Sequence, residues 1–293
     1  MHSPAALPVL ALVLNALVWG LSWIAFKALH QHGLHPLWAT SLIYGGALAL
    51  LLAVRPAGLR GVRQHPWLLL LAVSAGLTNV GFNWGVTIGD VMRVVLLFYL
   101  MPLWSTGLAW WLLGERPTPA ALLRLVLALA GVALVLGRPA AAGPAGEAPP
   151  GLADALALMA GFGFALTNTL LRRWRATPAD ARAVAMFGGG FVLSTTLALL
   201  VVGAAGQPPA PNWEWTPWAL LLGLAFLSGN LALQYGAARL PAQVTSLIML
   251  SEVVFASASA VLLGASWPDA ATWLGGALIL GAALLAVLRG RSQ

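Results

Sequence analysis

Cysteine is absent from the 293 residues, which excludes disulfides and thiolate metal sites. Charge is scarce. Asp, Glu, Lys and Arg make up 8% of the chain, about a third of the roughly 25% that a water-wetted globular surface carries. Acidic groups are fewer than basic ones, 8 against 15. There is no Ser/His/Asp arrangement, no paired carboxylate and no HExxH run, so the chain is read as not an enzyme. No nucleotide-binding loop is present either; Gly188-Gly189-Gly190 lacks the following Lys-Ser/Thr and suits close helix packing instead. No cofactor is expected. What remains is apolar, 60% hydrophobic with a mean hydropathy of +0.88. A surface with so few charges faces lipid.

Apolar runs of spanning length recur along the chain, at 8–29, 36–54, 66–86, 91–113, 120–137, 151–173, 181–203, 217–237, 242–263 and 269–288. Pro, Gly and charge mark the joins, as at His35-Pro36, Arg55-Pro56, Arg116-Pro117 and Thr177-Pro178. The first run lacks the flanks of a cleaved signal and is expected to be a retained helix. The stretch 138–150, rich in Ala, Gly and Pro, reads as a linker between halves at 1–137 and 151–293.

The basic residues form no stripe of the kind nucleic acid requires; they cluster between apolar runs, so no nucleic-acid partner is expected. With the N-terminus inside, twelve Lys/Arg fall on the inner side and three on the outer, Lys27, Arg93 and Arg138. That bias places both termini in the cytoplasm. Abundant Ala, Leu, Gly and Arg point to a GC-rich bacterium and its inner membrane.

The halves resemble each other. At an offset of 150, Leu112-Leu113-Gly114 falls on Leu262-Leu263-Gly264, and Gly131 falls on Gly281. At 151, Asn79 meets Asn230 and Asn83 meets Gln234. Five helices in each half make the two repeats opposite in direction, with a site expected at their interface near the midplane. The fold expected is all-α and membrane-integral, ten transmembrane helices as two inverted five-helix repeats around a central cavity.

Trp19-Gly20-Leu21-Ser22-Trp23 with Lys27, and Tyr99-Leu100-Met101-Pro102 through Leu113-Gly114-Glu115-Arg116, resemble the first and fourth helices of the EamA-type family of the drug/metabolite transporter superfamily. The resemblance covers nearly the whole chain. It implies a small-molecule transporter working by alternating access, outward in many members, on amino acids, other metabolites or lipophilic cations, with the fifth and tenth helices peripheral. The chain departs from the pattern at Ala265-Ser266, opposite Glu115-Arg116, and at Glu252, opposite Pro102.

Glu252 is the leading candidate. An ionisable group near the middle of 242–263 costs about 2.5–3.5 kcal/mol to insert, so it faces the bundle interior as a proton carrier or an anchor for a substrate amine. Asn79 and Asn83 lie one turn apart, as do Asn230 and Gln234; they serve either a zwitterion or interhelical bonding. Tyr99 and Pro102 share a face, the proline marking a kink beside a cavity. Asn15, Trp19 and Ser22 form a stripe with Trp23 adjacent. Asp90 and Arg93, at i and i+3, are expected to pair with each other, with an outer gate as the alternative role. His30, His32 and His35 are not expected to hold a metal, since no carboxylate or thiolate joins them. The partners expected are a small-molecule substrate and the lipid bilayer, with the protein a monomer or homodimer. Amino acids are the preferred substrate. Export of organic cations is the alternative, ahead of a passive channel or a membrane enzyme.

Overall fold

The computed structural model describes residues 6–114, 118–137, 151–174, 176–202, 210–237, 239–240, 248–249, 251–264 and 267–289. Their order is α1 (Ala6–Gln31), α2 (Pro36–Val54), α3 (Ala57–Gln64), α4 (Leu68–Ile88), α5 (Val91–Phe98), α6 (Met101–Leu113), α7 (Pro119–Leu136), α8 (Leu152–Arg173), α9 (Ala179–Val201), α10 (Thr216–Ala237), α11 (Ser251–Leu262) and α12 (Ala270–Arg289). No strand occurs among the described residues. The expected linker 138–150 and the Glu115-Arg116 motif lie outside them.

Local chemistry sets the helix ends. Pro36 opens α2 while the Leu37 N–H donates to His35 Nδ1 at 3.2 Å. Thr118 Oγ1 accepts the Ala121 N–H ahead of α7. Gly114 ends α6 at φ 72°, a left-handed cap that glycine adopts without strain. The run expected as one helix over 91–113 is broken at Tyr99-Leu100. Pro102 has no N–H to give the carbonyl four residues back, and that carbonyl, of Phe98, lies against Gly161 of α8.

Seven segments among the described residues are long and apolar enough to cross a membrane: α1, α2, α4, the α5–α6 run, α8, α9 and α10. At the three other expected positions lie shorter apolar helices, within α7, α11 and α12. The sequence reading missed α3, a short helix whose Gly58 and Gly61 pack on α9 while Arg60 and Arg63 are exposed. Large apolar side chains point outward along the bundle, among them Leu69, Val126, Leu200, Leu224 and Val254.

Burial centres on α4, which packs against α8 and α9. Glycines allow that approach: a Cβ on Gly76 would come within 2.6 Å of the Gly189 carbonyl, and one on Gly81 within 2.6 Å of the Leu156 carbonyl. On the other side α1 packs against α10 and α11. The helices α7 and α12 pack chiefly on each other through Gly131 and Gly275.

Candidate functional site

Three elements bring polar groups together where α1, the α5–α6 break and the start of α11 meet. Gly20 lets α1 approach, since a Cβ there would sit 2.8 Å from the Glu252 backbone carbonyl. One turn along α1, Trp23 Nε1 donates to Ser259 Oγ at 3.0 Å. Glu252 lies in the first turn of the described α11 and is 7% exposed. Of the expected span 242–263, residues 242–247 and 250 lie outside the described residues. Tyr99, placed at the helix break, donates its hydroxyl to Glu252 Oε2 at 3.2 Å and lies 3.3 Å from the Met249 carbonyl. Among the described residues the buried carboxylate thus has one neutral hydroxyl donor, on Oε2, an arrangement that leaves acceptor capacity for a cation or a proton.

An aromatic chain runs from this carboxylate across the bundle. Tyr99 stands edge-on to Phe98 at 5.8 Å, Phe98 to Phe82 at 5.0 Å, and Phe82 to Trp19 at 6.2 Å. Trp19 stacks on Phe226 at 4.6 Å, and Phe226 lies 6.1 Å from Tyr44. Five helical elements, α1, α2, α4, α5 and α10, contribute to it. Such pairs prefer edge-to-face or offset contacts, and these rings pack directly on one another.

At the far end of the chain the amides are engaged between helices. Tyr44 Oη donates to Asn79 Oδ1 at 2.6 Å, and Asn83 Nδ2 donates to Thr40 Oγ1 at 3.2 Å. Asn15 Nδ2 reaches the Gly229 carbonyl at 2.8 Å. Two buried amide oxygens, Asn15 Oδ1 and Asn83 Oδ1, have no hydrogen-bond partner among the described residues. Unsatisfied buried acceptors are rare and call for a reason. Asn230 lies on α10, half-buried and engaged; the side chains of Gln234 and Pro102 lie outside the described residues. Ser22, inside α1, bonds back within its own helix, its hydroxyl donating to the Trp19 carbonyl at 2.8 Å.

Asp90 and Arg93 do meet, but through the backbone: Asp90 Oδ1 accepts the Arg93 N–H at 2.8 Å and caps α5. The expected side-chain pair gives way to a longer-range one. The guanidinium is bidentate on Asp154 of α8, with both bonds at 2.7 Å, and a third bond reaches the Val135 carbonyl. Nearby, Lys27 Nζ lies 3.3 Å from the Gly89 carbonyl and 5.4 Å from the Trp23 ring centre. His35, outside the spans, packs edge-on to Trp84, and burial pushes its imidazole below the usual range.

The structure therefore puts Tyr99 on Glu252 and, two turns along α11, Trp23 on Ser259, and engages Asn79 and Asn83 separately with Tyr44 and Thr40 of α2. Sequence reasoning missed Asp154, Ser259, Phe82, Phe98 and Phe226. Asp154 was legible as one of only eight acidic residues; the phenylalanines carried no contrast in an apolar chain.

Comparison with known proteins adds the following. Residues 6–137 and again 151–288 match the model of the EamA-like transporter family. An aromatic amino acid exporter, YddG of Ancylobacter novellus, is 27% identical over 289 residues, covering 94% of this chain and 95% of its own. A crystal structure 23% identical in sequence superposes with a TM-score of 0.59 over 97% of both chains, a likeness of fold.

Proposed function

From the premise that this chain belongs to the EamA-like transporter family and is a multi-pass membrane protein, we propose that it exports amino acids with aromatic or apolar side chains by alternating access. The observation that carries this reading is the aromatic chain ending on a buried carboxylate. Glu252 receives the substrate ammonium, with the Tyr99 hydroxyl fixing the carboxylate's orientation. Trp19, Phe82 and Phe98 offer faces and edges to the side chain. Two turns along α11 from Glu252, about 10 Å at 1.5 Å per residue, Trp23 Nε1 donates to Ser259 Oγ, which donates in turn to the Ala256 carbonyl, so this pair holds α1 against α11 beside the site. The unpartnered oxygens of Asn15 and Asn83 are acceptors within the same bundle.

Two inverted repeats fit the packing. At an offset of 150, Tyr99 bonds the carbonyl of its own equivalent, Met249. Residues on a twofold axis make contacts of that kind. Pairings repeat too, α4 with α8 as α1 with α10, and α6 with α8 as α11 with α1. Rocking of one repeat against the other opens such an interface alternately to each side. The Arg-rich ends are assigned to the cytoplasm and the protein to a bacterial inner membrane.

A second reading, export of organic cations, is favoured by the same carboxylate lying beside aromatic faces. The test is counterflow in proteoliposomes with labelled phenylalanine, tryptophan, leucine, lysine and a lipophilic cation. Exchange of the aromatic and apolar amino acids supports the first reading. Exchange of the cation alone replaces it with the second, and exchange of none overturns both.

A further inference from the structure

At the Arg-rich end of the bundle the α3–α4 and α8–α9 joints meet at an open pocket of about 400 Å³, lined by His65, Arg173, Trp174, Ala176 and Thr177. Its walls are built. Trp67, at the start of α4, stacks on Trp174, at the end of α8, with ring centres 4.2 Å apart. His65 stands edge-on to Trp67 and its Nδ1–H donates to the Gly61 carbonyl at 2.9 Å. Arg173 lies 5.7 Å from the Trp174 ring centre and reaches the Leu112 carbonyl at the end of α6. One N–H of its fork is used there, and the guanidinium has four more.

Depth and charge point to the same occupant. Paired tryptophans at helix ends sit at the level of lipid headgroups. Beside them α3 lies with Gly58 and Gly61 against α9 while Arg55, Arg60 and Arg63 are exposed around it, and Arg172 is exposed on α8. Asp180, half-buried at the start of α9, accepts the Ala181 N–H and leaves the local balance strongly basic. Aromatic walls at the interface with arginines above them suit a headgroup whose acyl chains run down the neighbouring helices.

We propose that this pocket binds the phosphate of an anionic phospholipid, with Arg173 as its charged donor and the Trp67–Trp174 pair as the floor beneath the glycerol. Each basic residue close to such a headgroup adds about 1 kcal/mol, or roughly fivefold in affinity. Binding here couples α4, α6, α8 and α9 to the lipid around them. The site is separate from the Glu252 cluster and rests only on membrane placement, so its test is independent of what is transported.

The experiment is native mass spectrometry of the delipidated, detergent-solubilised full chain with phosphatidylglycerol, with phosphatidylcholine of the same acyl chains, and with inorganic phosphate. The wild type retains phosphatidylglycerol about fivefold more than phosphatidylcholine. Arg173→Ala loses that preference, while Arg173→Lys keeps part of it and Arg239→Ala, at a basic residue past the end of α10 and outside the pocket, keeps all of it. Equal retention of the two lipids by the wild type overturns the proposal whether or not the variants fold. So does an undiminished preference in Arg173→Ala, or displacement of phosphatidylglycerol by inorganic phosphate, which assigns the pocket to a free anion.

Discussion

Gly188 and Gly189 are neighbours in sequence and opposites in surroundings. A Cβ on Gly188 meets nothing within 4 Å, whereas one on Gly189 overlaps the Ala72 carbonyl of α4. Gly188→Ala is therefore expected to leave thermal stability unchanged. Gly189→Ala forces α4 and α9 apart and is expected to cost about 1–3 kcal/mol, read as a lowered unfolding midpoint in detergent. His35 gives a pH effect. Its neutral ring accepts the Leu37 N–H, and burial lowers its pKa. Above about pH 6.5 the ring is neutral folded or unfolded, and the cap's contribution of about 1 kcal/mol is present in full. As pH falls below that, the unfolded chain takes up a proton that the folded one resists, and stability declines. His35→Asn caps without titrating, so its midpoint should fall less than the wild type's between about pH 7 and pH 5; equal falls contradict the role. At this scale the sequence told much about type and little about partner. An amide or carboxyl in an apolar run is conspicuous, but Asn83 bonding Thr40, or Arg93 bonding Asp154 61 residues away, depends on how the helices face one another.

Element boundaries were mostly legible, because they are set by local chemistry. Pro36, Pro119 and Gly114 punctuate α2, α7 and α6 where the reading expected helix ends. The break at Tyr99-Leu100 was foreshadowed by Pro102 as a kink, though 91–113 had been read as one helix. The short α3 escaped because a search for long apolar runs passes over eight residues that carry two arginines, Arg60 and Arg63. Between elements, the Arg93–Asp154 pair fastens α5 to α8, and Arg93 also holds the Val135 carbonyl near the end of α7. Its side chains are 11% and 15% exposed, so removing one partner strands a charge that water barely reaches. Arg93→Ala is expected to destabilise by about 3 kcal/mol. Adding Asp154→Ala should recover part of that loss, since the stranded charge goes with it. A double variant as unstable as the sum of both singles would contradict the pairing.

On the scale of the whole molecule the composition spoke first. With 8% charge and 60% hydrophobic residues, the chain had to be membrane-embedded, and the family match and seven segments long and apolar enough to cross a membrane agree with that. The packing of one half on the other was not legible, because apolar contacts such as Trp19 on Phe226 leave no pattern in a sequence that is apolar throughout. The central claim is that a buried carboxylate at the meeting of the halves takes the substrate's positive end. It is tested most directly by counterflow of labelled phenylalanine in proteoliposomes of the wild type and Glu252→Gln, an exchange of nearly equal shape that removes the charge. A hydrogen bond to a charged group contributes about 1.5–3 kcal/mol, so exchange by Glu252→Gln at low substrate should drop by at least about tenfold while the protein stays folded. Undiminished exchange by the folded variant would contradict the account and leave Glu252 a structural partner of Tyr99.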